Sequence, residues 1–138
     1  MFSKILPFFG RRTVVSTNGC FDGLHSGHYY FLGYCRAQGE KLVVGINSDK
    51  YIIRHKRLDP LPARQRQRAL LNTGFIAKVV IFDEENPIEF LKREKPDVHC
   101  IGKEYKGKAP EEAYCKANGI KIVYVPRIRG WSSSALRI

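Results

Sequence analysis

Two histidines, His25 and His28, stand three residues apart in the stretch TNGCFDGLHSGH (17–28), directly after a short apolar run. Imidazoles at that spacing serve three kinds of chemistry: metal ligation, core packing, or donation to a phosphate. A zinc site needs a third and a fourth ligand. Only His55 and His99 remain, and no cysteine or acid stands at matching spacing, so no metal ligand is assigned. Plain packing suits poorly a loop that carries glycines on both sides of the pair. The third reading is a phosphate cradle. Gly23 and Gly27 let backbone come close to a ligand. A helix beginning near Ser26 turns its free N–H groups and positive dipole end toward the same place. Imidazole N–H donors there would stabilise charge developing on a phosphate. The chain has neither G-x-G-x-x-G nor G-x-x-x-x-G-K-[ST], so dinucleotide and P-loop chemistry are not indicated. The cradle is favoured, and the other two readings stay open.

The elements that must position this pair are visible as alternating segments. Residues 12–17, 41–47, 78–82, 97–102 and 121–126 are short β-branched runs, continuous rather than alternating, as in strands buried on both faces. Helices are expected over 26–38, 63–73, 87–95 and 110–118. Pro87 and Pro110 suit first-turn positions, and Gly39 and Gly119 suit C-terminal caps. Strand–helix–strand repetition with short connections predicts an α/β fold: a Rossmann-like, doubly wound, parallel five-stranded sheet in a single domain. Ligands of such sheets sit at the carboxyl ends of the strands. The histidine motif lies there after the first strand, NSD (47–49) after the second, GKEY (102–105) after the fourth and RIRGWSSS (127–134) after the fifth. Four unusual segments thereby converge on one rim.

Composition agrees with one soluble globular domain of 138 residues, 43% hydrophobic and 27% charged. The opening MFSKILPFFGRR has a brief apolar stretch interrupted by Pro7, with arginines after it, which fits neither a signal peptide nor a membrane span. Residues 1–12 are read as a lead-in and 13–138 as the domain, in a cytoplasmic protein that does not engage membranes. Cys20, Cys35, Cys100 and Cys115 are scattered and expected to be reduced thiols. The net charge of +11 favours polyanions. It is clustered: residues 54–68 hold six Lys/Arg against one Asp, and 126–138 hold three arginines and no acid. Within 54–68, Arg64 and Arg68 are assigned to a solvated helix face.

H-x-G-H after a first strand, followed in order by NSD, a QR before a helix, FDEENP, KPDVHCIGKEYKG and a terminal GWSSS, resembles the cytidylyltransferase-like nucleotidyltransferases from about Thr13 to Ile138. The likeness is strongest to the adenylyltransferase domain of bacterial ADP-heptose synthase and to glycerol-3-phosphate cytidylyltransferase. It implies transfer of AMP or CMP from ATP or CTP to a small phosphorylated sugar or polyol, with release of pyrophosphate. Mg²⁺ would arrive with the triphosphate, and a homodimer is implied. His25, His28 and Lys56 would be the catalytic contacts. Thr17, Asn18, Gly19, Cys20, Phe21, Asp22, Gly27, Arg66, Gly102, Arg127, Gly130, Trp131, Ser132, Ser133 and Ser134 would bind nucleotide or phosphate. Asp49 and Glu104 are candidates for the ribose or the acceptor. Lys103 and Glu104 depart from the GGDY or GDDW of related segments.

That activity explains the cast of residues. The acceptor is already an ionised phosphate, so the reaction requires positioning and neutralisation of charge rather than a general base or a protein nucleophile. Two alternatives remain: an FMN or phosphopantetheine adenylyltransferase within the family, and a basic nucleic-acid-binding module outside it. The scarcity of aromatics among the basic segments disfavours the module.

Overall fold

A computed structural model describes residues 12–56 and 59–127. The predicted lead-in, apart from Arg12, lies outside them, as do Gly130, Trp131, Ser132, Ser133 and Ser134.

The Val- and Ile-rich runs form β1 (Val14–Gly19), β2 (Lys41–Asn47), β3 (Lys78–Phe82), β4 (Val98–Gly102) and β5 (Lys121–Val125). They pair in parallel in the order β3-β2-β1-β4-β5. The helices are α1 (Ser26–Arg36), α2 (Asp49–Lys56), α3 (Ala63–Leu71), α4 (Ile88–Glu94) and α5 (Glu112–Ala117), with one 3₁₀ turn at Lys103–Tyr105. β2 shows why these strands read as continuous apolar runs. Leu42, Val44 and Ile46 enter one core with Leu32 and Cys35 of α1 and Leu70 of α3. Val43 enters a second core with Phe90 and Leu91 of α4 and Cys115 of α5. Helices on both faces leave no wet side to the sheet, and the expected doubly wound, Rossmann-like fold is found.

Chain order reverses at β1, whose neighbours are β2 on one side and β4 on the other. A crevice at the carboxyl ends of the strands follows from that reversal. Between β1 and β4 only Val15 with Val98 and Ser16 with His99 are in ladder register, against six pairs between β1 and β2. Past Ser16 a side chain takes over, with Thr17 Oγ1 donating to the Cys100 carbonyl at 2.9 Å.

Three local expectations are corrected. α2 has no counterpart among the predicted helices. Only Ile52 of its eight residues is buried, so no apolar stripe announces it. Ser48 Oγ caps it by accepting the Tyr51 N–H at 3.0 Å, and its far end is tied by Arg54 and His55 to Glu85 at 3.2 and 3.1 Å. Gly39 is not a left-handed cap, because α1 ends at Ala37 in right-handed geometry. It is a close-approach glycine: a Cβ there would lie 2.6 Å from Val15 Cγ2. Pro87 sits just outside α4 as its N-cap, and Pro110 lies two residues before α5. Gly119 is left-handed after α5, at φ +70°, as expected of a C-terminal cap.

Candidate active site

The chain leaves β1 through a tight loop. Phe21 is left-handed at φ +49° and buried. Its ring folds back so far that a Cβ on Gly19 would stand 2.9 Å from Phe21 Cε2. The same ring meets His28, with centroids 5.3 Å apart. α1 then begins with an unusual cap. Short polar residues ordinarily accept the first helical N–H groups. Here His25 Nδ1 accepts from Gly27 N–H at 3.1 Å and His28 N–H at 3.4 Å. His28 Nδ1 accepts the His25 N–H in return, at 3.3 Å. This is a capping box built from two imidazoles, which stack with centroids 3.8 Å apart.

The box settles the chemistry of the rings. An Nδ1 that accepts a hydrogen bond carries no proton, so each neutral ring bears its donor on Nε2. Burial, and then the neighbouring His25, lower the His28 pKa to about 4, against a Gly23 carbonyl that favours the protonated ring. At neutral pH His28 is therefore a neutral N–H donor.

A cavity of about 580 Å³ opens above the pair. Of the predicted site residues, Thr17, Asn18, Gly19, Cys20, Phe21, His25, Gly27, His28, Lys56, Gly102, Glu104 and Arg127 line it. Lys56, at the end of α2, stands with Tyr51, Glu85 and Asn86 on the β2–β3 side. Glu104, Tyr105, Lys108, Glu111 and Arg127 stand on the β4–β5 side. Neither Lys56 nor Lys108 is in an ion pair with a described residue. Glu85 is taken up by Arg54 and His55, and Glu111 by His99.

Three predicted contacts are not on the cavity wall. Arg66 is 1% exposed and faces the protein. Its Nε donates to the Leu61 carbonyl at 2.8 Å, Nη1 to the carbonyls of Cys20 and Asn47 at 2.9 and 2.8 Å, and Nη2 to Asp49 Oδ1 at 2.7 Å. It clips the ends of β1 and β2 to the segment before α3. Asp49 Oδ1 is correspondingly held by Arg66, with the side chain half-exposed beside the cavity rather than on its wall. Asp22 accepts the Leu61 N–H at 2.8 Å, tying the motif loop to that same segment. These residues form the frame of the site. Arg64 and Arg68 are exposed, as their assignment to a helix face requires.

Sequence reasoning missed Asn47, Tyr51, Glu85, Asn86, Tyr105, Lys108 and Glu111 on the wall. The segments FDEENP and GKEYKG drew notice, but nothing in their spacing says which side chains face inward. Asn47 accepts the Cys20 thiol at 3.3 Å, a contact across 27 residues.

Known proteins share this chain's sequence family and fold. The sequence model of a family described as cytidylyltransferase-like matches residues 16–137. A protein called bifunctional protein HldE from Campylobacter concisus is 44% identical over 107 residues, covering 76% of this chain and 23% of its own. The protein of the same name from Azorhizobium caulinodans is 41% identical over 129 residues, 89% of this chain and 26% of its own. The chain thus spans about a quarter of the length of the curated relatives it matches. Among solved structures, a lipopolysaccharide core biosynthesis protein from Thermoplasma volcanium superposes with a TM-score of 0.69 at 23% identity. That match covers 86% of this chain and 98% of the other, and shows the shared fold.

Proposed function

Because the chain belongs to the cytidylyltransferase-like family of nucleotidyltransferases, we propose that it transfers a nucleoside monophosphate from ATP or CTP to a small phosphorylated sugar or polyol. An oxygen of the acceptor phosphate attacks the α-phosphorus, a new P–O bond forms, and the bond from the α-phosphorus to the α–β bridging oxygen breaks. Pyrophosphate leaves with that electron pair. No proton need be removed from the acceptor, which matches a site whose central histidine is a neutral donor.

The observation that carries the reading is the imidazole capping box at the switch point of the sheet. It fixes both Nδ1 atoms to backbone, leaves the donors on Nε2, and places α1's N-terminus beneath them. Preorganised donors of this kind stabilise charge that grows during reaction. Lys56 supplies a cation from the β2–β3 side, and Lys108 and Arg127 supply cations from the other. Among the described residues no three of His, Cys, Asp and Glu are grouped around a metal position. A Mg²⁺ arriving with the triphosphate would, when bound, neutralise charge on the leaving pyrophosphate. The resemblance of TNGCFD, NSD and FDEENP to the adenylyltransferase domain of bacterial ADP-heptose synthase supports ATP and a sugar phosphate as the first pair to try.

Purified protein incubated with MgATP or MgCTP and a panel of sugar and polyol phosphates is expected to release pyrophosphate with one combination. His28→Ala should lower that rate about 10²–10³-fold while the protein stays folded by circular dichroism. Absence of release across the panel counts against the assignment, as would turnover unchanged in His28→Ala.

A further inference from the structure

The connection between β4 and α5 is fastened with more care than an exposed loop needs. Lys108 N–H donates to the Tyr105 carbonyl at 2.8 Å. The amides on either side of it, Gly107 and Ala109, both donate to the Glu112 carboxylate, each at 3.0 Å to a different oxygen. Three consecutive backbone donors are thus taken up, one within the loop and two by Glu112, with Gly107 left-handed at φ +82° to permit the turn. Glu112 is itself held by the Tyr124 hydroxyl, which donates at 2.6 Å from β5. The neighbouring Glu111 is anchored inward, its carboxylate 3.0 Å from His99 Nε2, and His99 Nδ1 is 2.7 Å from Ser16 Oγ. Serine, imidazole and carboxylate in a row suggest a nucleophile, but Ser16 and His99 are both wholly buried and no substrate reaches them. The row is an anchor.

What the anchors present is Lys108. It is exposed, lies on the cavity wall and pairs with no described carboxylate. Glu112, although only four residues away, spends its oxygens on amides and a phenol. The Tyr124 hydroxyl first, and then the Gly107 amide, hold its carboxyl below the ordinary range. A carboxylate so committed orders the loop without neutralising the lysine. Ordering in advance removes an entropic cost that binding would otherwise bear.

We propose that Lys108 binds the phosphate chain of the nucleoside triphosphate from the β4–β5 side of the cavity, and that Glu112 is the positioning residue that sets it there. The proposal rests on the nucleotidyltransferase reading. Calorimetric titration of MgATP, MgCTP and magnesium pyrophosphate into wild type, Lys108→Met, Lys108→Arg, Glu112→Gln and Lys121→Met tests it, alongside each unliganded melting temperature. Lys121 is an exposed lysine at the start of β5, off the cavity wall, and controls for loss of charge alone. Lys108→Met should weaken triphosphate binding about tenfold at an unchanged melting temperature. Lys108→Arg should recover part of the loss. Glu112→Gln should also weaken binding, although no charge is removed from the cavity wall, and Lys121→Met should leave it as in wild type. Wild-type binding that Lys108→Met does not weaken, or that Lys121→Met weakens equally, overturns the proposal and leaves the family reading standing. A Glu112→Gln protein that melts lower but binds normally removes its positioning role. Wild type that binds neither triphosphate overturns both readings together.

Discussion

At the scale of residues, His28 and Arg66 show how the same frame sets two different outcomes. His28 has a folded pKa near 4 against an ordinary 6.5. Between those values the unfolded chain binds a proton that the folded chain refuses. Stability therefore falls as pH drops from about 6.5 to 4, and the contribution is fully present above 6.5. Urea midpoints at pH 7.5, 6.5, 5.5 and 4.5 should show a loss of about 1 kcal/mol, after allowing for solvent screening of a half-buried ring, that His28→Gln abolishes. A slope identical in the variant would show that the ring is not the group responsible. Arg66 works through carbonyls. Arg66→Met strips the donors from Leu61, Cys20 and Asn47 and leaves Asp49 alone, which is expected to cost about 2–4 kcal/mol. Arg66→Lys should recover less than half, since an ammonium cannot span four partners on three segments. Chemical denaturation measures both, and triphosphate affinity should fall with them, because Cys20 and Asn47 line the cavity.

At the scale of elements, Gly39 carries the clearest prediction. Gly39→Ala should destabilise by about 1–3 kcal/mol, because its Cβ would press on Val15 and also stand 3.0 Å from the Thr13 carbonyl, which is backbone and cannot swing aside. A thermal melt unchanged by the substitution would return Gly39 to an ordinary turn. The same residue marks where sequence reading stops. A glycine after a helix looks the same whether it supplies a left-handed angle or a missing side chain, and the strand that decides the matter lies on another segment. All five strands were legible, because burial on both faces writes itself into every position. α2 was not, because its hold comes from Ser48 and from Glu85, some thirty residues downstream, and not from a stripe of its own. The site divides likewise. The histidine pair at the head of α1, on the cavity wall, was legible in one twelve-residue stretch. Arg66 as a clip, Asp49 as its partner and Lys108 on its clamped loop were not, since each depends on contacts that close only in three dimensions.

At the scale of the whole molecule, the charge of +11 meets a cavity with cations on both sides. Nucleic acid retained at low salt should be released steeply as salt rises, and excess MgATP should displace it; retention that MgATP does not relieve would favour a separate nucleic-acid surface. The fold also bears on how the molecule yields. Two register pairs join β1 to β4, against six between β1 and β2. The rest of the seam is held by Val14 with Asp97, by the Ser16, His99 and Thr17 side chains and by shared apolar packing, so β4 and β5 form the more lightly laddered leaf. Amide exchange should find that leaf opening together, faster than β2 at the centre of the other. A ligand touching His28 on one leaf and Lys108 on the other acts as a rivet through the seam. Nucleotide should then slow exchange in β4 and β5 by more than in β2, and the substrate would be, for as long as it stays, a fastening of the protein's own sheet.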